Sequence, residues 1–174
     1  MSRRVLLGVT GSIAAYKACE VVRLLVKGGC DVRVVMTAAA CEFVRPLSFQ
    51  TLSRNPVFVD QFATPKEWKP EHIALASDID LALVAPATAN IIAKMRFGLA
   101  DDLLSSVLLA TRAPIFVAPA MNCGMWENAA TRENVETLRS RGVRFIGPAS
   151  GDLACGTEGA GRMVEPEEIV AGLE

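Results

Sequence analysis

The sequence carries almost no net charge: 18 lysines and arginines stand against 19 aspartates and glutamates, a formal net charge of −1 over 174 residues. A chain so balanced has no field to hold a polyphosphate backbone or an anionic membrane, so neither nucleic acid nor a membrane is an expected partner. Paired cysteines are lacking too. The five present (Cys19, Cys30, Cys41, Cys123, Cys155) are odd in number and contain no C-x-x-C, which fits neither a disulfide framework nor a zinc site. No metal is expected, and a reducing cytoplasm is the expected compartment. No apolar run reaches the length of a bilayer span, because charges interrupt each one. Arg3 and Arg4 ahead of the run from Val5 imitate a leader peptide, but Gly8, Gly11, Lys17 and Glu20 break that pattern. Histidine is nearly missing: His72 stands alone, so a step needing a group that titrates near neutrality has few other candidates.

Apolar residues, by contrast, are plentiful at 51%, against 21% charged. That composition and length suit one domain, residues 1–174, with a substantial core and some apolar surface left for sister subunits to cover. Val5 to Val9 is a continuous apolar run bounded by turn residues, the pattern of a strand buried on both faces of a parallel sheet. After Thr10-Gly11-Ser12, Lys17, Glu20, Arg23 and Lys27 recur at helical spacing until Gly28-Gly29. Val32 to Met36 then completes a βαβ unit. Leu81 to Ala85, Ile115 to Ala118 and Val143 to Ile146 are further strands, with helices predicted over Asp101 to Thr111 and Arg132 to Arg141. A glycine-rich loop is expected from Gly151 to Gly161, and a helix is expected to begin only as the chain stops at Glu174. Alternation of this kind predicts a doubly wound α/β parallel sheet, a flavodoxin-like or Rossmann-like three-layer sandwich, with ligands at the carboxyl ends of strands.

The turns after the strands therefore carry the candidate chemistry. Gly11, Ser12 and Ile13 open the first helix, where backbone N–H groups and the positive helix end can face a phosphate. The G-x-G-x-x-G fingerprint is absent and the second strand ends in Thr37, not in an acid that would hold a ribose; a phosphomonoester such as that of FMN fits better than a dinucleotide. A plain tight turn is the alternative. Pro86-Ala87-Thr88-Ala89-Asn90 puts small and hydroxyl-bearing residues after another strand, either as phosphate or flavin contacts or as a helix cap at Thr88. Pro119-Ala120-Met121-Asn122 with Met125-Trp126 offers an amide that can grip a carboxylate, or again a cap; the methionines and tryptophan read first as packing. In Ala154-Cys155-Gly156-Thr157-Glu158-Gly159-Ala160-Gly161-Arg162-Met163, Cys155 lies among small polar neighbours and is the best reactive-thiol candidate, on a segment (about 150–165) able to close as a flap.

Taken together, GSIAAYK (Gly11 to Lys17), His72-Ile73, PATAN, PAMN with Met125-Trp126, and ACGTEGAGRM resemble the flavin-dependent cysteine decarboxylases, and within them the phosphopantothenoylcysteine decarboxylases. The resemblance spans nearly the whole chain. It implies FMN held by Gly11, Ser12, Ile13, Thr37, Thr88, Asn90 and Ala120. It implies His72 and Cys155 as catalytic residues, and Asn122, Met125, Ala154 and Gly156 around the substrate. It implies decarboxylation of 4′-phosphopantothenoylcysteine to 4′-phosphopantetheine in coenzyme A biosynthesis: thiol oxidation to a thioaldehyde, loss of carbon dioxide, and re-reduction of the enethiol with Cys155 as acid. Members of the family assemble as homotrimers or dodecamers of trimers with the flavin at subunit contacts. Many bacterial members continue into a second domain that ligates cysteine to phosphopantothenate. Three rivals share the frame: an oxidative peptidyl-cysteine decarboxylase, which stops at the enethiol, a non-catalytic regulatory flavoprotein, and a flavin prenyltransferase, which would not call for His72 and PAMN together. Cys155 in its motif counts against the first, and the full set of three candidate residues against the second.

Overall fold

The apolar runs lie side by side as strands of one parallel sheet. The computed structural model describes residues 2–62, 71–152 and 158–174. Strand β1 (Arg4–Val9) leads into α1 (Ala15–Lys27) and β2 (Asp31–Met36). Next come α2 (Ala38–Cys41), α3 (Pro46–Ser53), the short β3 (Val57–Phe58) and α4 (Glu71–Ser77). The second half runs β4 (Leu81–Ala87), α5 (Ala89–Phe97), α6 (Leu103–Ala110), β5 (Ile115–Pro119), α7 (Cys123–Glu127), α8 (Ala129–Ser140) and β6 (Arg144–Phe145). A hairpin of β7 (Ala149–Asp152) and β8 (Glu158–Arg162) and the helix α9 (Pro166–Ala171) close the chain.

The sheet order is β3-β2-β1-β4-β5-β6 with every pairing parallel, the Rossmann order. Successive strands step outward in one direction from β1 and in the other from β4. The crevice between these two strands, in register from Val5–Leu81 to Gly8–Val84, is the topological switch point at which such sheets bind ligands. All seven residues of β4 are buried, as befits a strand covered on both faces. One apolar cluster packs α1, α3 and α9 on one face through Val21, Val22, Phe49 and Ile169. The other packs α4, α5, α6 and α8 on the opposite face through Leu75, Ile91, Leu104 and Leu138.

Differences from the expected boundaries have local causes. The helix expected from Asp101 begins at Leu103 because Asp102 caps it: its Oδ1 accepts from Ser105 N–H at 2.8 Å while Ser105 Oγ accepts from Asp102 N–H at 3.1 Å. The helix expected from Arg132 starts at Ala129 behind the Asn128 cap, which accepts from Ala130 N–H at 2.9 Å. The glycine-rich segment is not a plain loop. Its flanks pair antiparallel, Ala149 with Arg162 through Asp152 with Glu158. The last helix does not merely begin at the chain end; α9 completes itself by Ala171, and Ile169 and Leu173 bury against the α1 face.

Candidate functional site

A cavity of 690 Å³ opens at the carboxyl ends of β1, β4 and β5, beside the switch point. Its floor comes from the turn between β1 and α1. Gly11 is there because α2 leaves no room for a side chain: a Cβ would stand 2.6 Å from Ala39 Cβ and 3.1 Å from its backbone carbon. That approach lets the Gly11–Ile13 backbone face the cavity. The N-terminal residue before α1 is Ala14, which makes no side-chain cap hydrogen bond, and no acid occupies the first turn. The positive end of a 13-residue helix is thus left to the cavity.

The second wall is the turn after β4. Thr88 caps α5, its Oγ1 accepting from Ile91 N–H at 3.4 Å, and lines the cavity with Ala89. This turn is locked to the first by Thr10, whose buried hydroxyl donates to the Pro86 carbonyl at 2.7 Å and accepts from Thr88 N–H at 3.1 Å. The third wall follows β5. Ala120, Met121, Asn122 and Met125 line the cavity, and Asn122 Oδ1 accepts from Gly124 N–H at 2.8 Å as the cap of α7. The capping role anticipated for Asn122 is therefore realised, at the cavity wall; a carboxylate would be gripped by the other end of the amide, its NH2 group. Met121 and Trp126 pack against the core, as expected, whereas Met125 is exposed at the cavity.

The hairpin supplies the fourth side through Gly161, Arg162 and Met163. Gly161 has φ +139, and a Cβ there would stand 2.4 Å from the Met121 carbonyl oxygen. Met121 N–H also donates to the Gly161 carbonyl at 2.9 Å, so β8 is held directly on the turn that carries Asn122. At the rim, Lys17 Nζ donates to both carboxylate oxygens of Glu165 at 2.9 Å, and Arg162 pairs with the same carboxylate. The Lys17 ammonium first, and the Arg162 guanidinium second, hold the Glu165 carboxyl below its ordinary range.

Of the residues singled out in the sequence, Gly11, Ser12, Ile13, Thr88, Ala120, Asn122 and Met125 converge on this cavity. Thr37, Asn90 and His72 are not among its lining residues. Thr37 caps α2, accepting from Ala40 N–H at 3.2 Å, next to the helix that touches Gly11. Asn90 lies exposed in the first turn of α5, and His72 half-buried in the first turn of α4, which packs on α6. Ala154, Cys155 and Gly156 lie outside the described residues. The sequence reading missed Thr10, Tyr16, Lys17, Arg162, Met163 and Glu165. Lys17 was visible as a cation in the first turn of a helix, a place the macrodipole disfavours. The described cysteines form no disulfide, and burial raises the pKa of the Cys19 and Cys41 thiols, leaving them little thiolate character.

A family profile described as Flavoprotein matches residues 1–174. Two curated relatives are each described as a coenzyme A biosynthesis bifunctional protein CoaBC. The chain is 49% identical to that of Haemophilus influenzae over 171 residues, 98% of this chain and 43% of the relative. It is 49% identical to that of Bacillus subtilis over 169 residues, 97% of this chain and 42% of the relative. The chain thus spans less than half the length of these curated relatives. Among solved structures, a PPC decarboxylase mutant C175S complexed with pantothenoylaminoethenethiol superposes with a TM-score of 0.90 at 32% identity, covering 99% of this chain and 97% of that one. The FMN binding protein AtHal3 superposes at 0.87 and 32% identity, covering 99% and 95%.

Proposed function

The chain belongs to the Flavoprotein family, and on that premise we propose that it binds FMN and decarboxylates 4′-phosphopantothenoylcysteine to 4′-phosphopantetheine. The observation that carries the reading is the convergence of three strand-end turns, bearing Gly11 to Ile13, Thr88, and Ala120 to Asn122 with Met125, on one cavity at the switch point. A relative named CoaBC and a solved PPC decarboxylase, each covered along nearly all of this chain, support it.

The residues present fit the cofactor. The cavity volume of 690 Å³ lies in the range of about 300–1,000 Å³ usual for such ligands. The Gly11 cradle would be filled by any Cβ, and the start of α1, where Ser12 Oγ accepts from Ala14 N–H at 3.3 Å and no acid stands in the first turn, turns the positive helix end toward a phosphate. Gly11, Ser12 and Ile13 would hold the phosphate side, with Thr88 at its edge and Ala120 small enough to lie beside the ring; Thr37 and Asn90 stand outside the cavity lining, and only the family resemblance assigns them to the cofactor. When bound, FMN supplies the two-electron sink and source that turn the cysteinyl thiol into a thioaldehyde before carbon dioxide leaves and restore the saturated thiol afterwards.

The chain's own residues do the rest. Asn122 orients the departing carboxylate through its NH2 group, at a wall fixed by the α7 cap and by β8. Met125 packs the apolar arm of the substrate, and Ala154 and Gly156 are the further substrate contacts in this reading. His72 serves as base or electrostatic partner at the thiol, and Cys155 gives the enethiol its proton. Because His72 does not line the cavity of its own chain, a neighbouring copy in a homotrimer supplies it. Among the described residues no helix is long and apolar enough to cross a membrane, in keeping with a cytoplasmic enzyme.

The test is anaerobic addition of 4′-phosphopantothenoylcysteine to the purified yellow protein, followed by product mass and flavin absorbance. Phosphopantetheine without lasting bleaching is expected. Bleaching with an enethiol product would replace the reading by the oxidative decarboxylase, and bound flavin without turnover by a binding protein.

A further inference from the structure

Two cations at the cavity rim share one carboxylate. Lys17 is the third residue of α1, where the helix dipole opposes a positive charge, and its side chain is only 16% exposed. Nothing in the packing of α1 requires a lysine there, since the helix buries Ala15, Ala18, Val21, Val22 and Leu25 instead. Lys17 and Arg162 both line the cavity, whereas Glu165 does not. Glu165 stands before α9 as its N-cap residue, yet its side chain makes no cap hydrogen bond. Its carboxylate is spent on Lys17 and Arg162, and at 43% exposure it is readily returned to solvent. Pairs this exposed are weak and exchangeable.

We propose that Glu165 is a displaceable counter-ion, holding Lys17 and Arg162 until a phosphomonoester of the ligand takes its place, and so setting how tightly that group is bound. The inference rests on the decarboxylase reading and names the specificity element within it. A phosphomonoester carries more charge and more acceptor oxygens than a carboxylate, and a lysine point charge beside an arginine fork suits it. Release of Glu165 leaves two cations facing one anion, so the exchange favours the ligand. The substrate and FMN both present this chemistry. Arg162 lies on the hairpin strand β8, a different element from the Gly11 turn assigned to the cofactor's phosphate, which favours the substrate's phosphate.

The measurement compares Glu165→Gln and Arg162→Gln with the wild-type holoenzyme, using 4′-phosphopantothenoylcysteine and its dephosphorylated form, and in parallel the retention of FMN and riboflavin. Glu165→Gln is expected to lower KM for the phosphorylated substrate by up to about 5-fold, the scale of an exposed pair, with KM for the dephosphorylated form unchanged. Arg162→Gln is expected to raise KM for the phosphorylated form. Opposite signs are the signature, because a purely structural bridge is broken equally by either change and both variants would then raise KM for both substrates. That result overturns the inference, as does wild-type KM indifferent to the phosphate. A shift confined to FMN against riboflavin assigns the displaced phosphomonoester to the cofactor. Should Glu165→Gln not accumulate, Glu165→Asp keeps the charge but shortens its reach, and is expected to move KM the same way by less. Wild type that turns over neither substrate defeats the decarboxylase reading itself, an outcome separate from any of these.

Discussion

Thr10 does more for the site than its place in a turn suggests. Its hydroxyl joins the first two walls: it satisfies the Pro86 carbonyl and the Thr88 N–H at once. Valine has nearly the same shape but neither donates nor accepts, so Thr10→Val leaves two backbone groups without that partner at a residue only 2% exposed. A loss of about 1–3 kcal/mol is expected, read as a lower urea midpoint, together with weaker flavin retention as the Thr88 turn drifts from the Gly11 turn. An unchanged midpoint would mean that water replaces the hydroxyl. The sequence shows Thr10 only as one of several turn residues, because its partners lie 76 and 78 positions away. Gly11, by contrast, was legible: a glycine at a strand-to-helix turn announces a close approach, although the sequence does not say that the approaching group is Ala39.

At the scale of elements, the hairpin is where sequence and structure part. Glycines read as mobility when no partner is visible, yet Gly161 is glycine because β8 presses on the Met121 carbonyl with φ +139. Gly161→Ala must push β8 off the turn that carries Asn122, breaking the Met121 to Gly161 hydrogen bond of 2.9 Å. Overpacking of this kind costs about 1–3 kcal/mol. A displacement near 1 Å at a positioning turn lowers kcat by roughly ten- to a hundredfold, with FMN content retained because the Gly11 cradle is untouched. Gly142→Ala is the control, since Gly142 also has positive φ (+90) but no atom lies within 4 Å of where a Cβ would stand; it is expected to lose stability without losing kcat. Equal losses of kcat in both would reduce the effect at Gly161 to backbone strain. The buried strands β1, β2, β4 and β5 were legible for the opposite reason. In β1, β4 and β5 the apolar runs are continuous, and a run covered on both faces has only one way to be buried; β2 is interrupted by the half-buried Arg33, and its Val34 to Met36 still mark it as a buried strand. Short elements such as β3 and α2 carry too few residues for any period to show.

At the scale of the whole molecule, the described residues leave the cavity open on the side of α1 and α7, where Ile13 and Tyr16 are 58% and 61% exposed and Met125 is 49% exposed. The proposed homotrimer would account for the exposed apolar residues at the cavity, the apolar composition and a candidate base on another helix together: a second copy would cover the opening and bring His72 with it. A trimer is expected in light scattering, and the arrangement itself is testable by complementation. His72→Asn and Asn122→Asp homotrimers are each expected to be inactive. Assembled at random from equal amounts, a site that draws Asn122 from one chain and His72 from its neighbour is intact in about a quarter of cases, by independent choice of the two subunits around a closed symmetric ring. Recovery near that fraction of wild-type turnover supports a shared site. If both residues act from the same chain, every site in the mixture carries one defect and no activity returns, which would require His72 to reach the cavity by movement of α4 within its own chain.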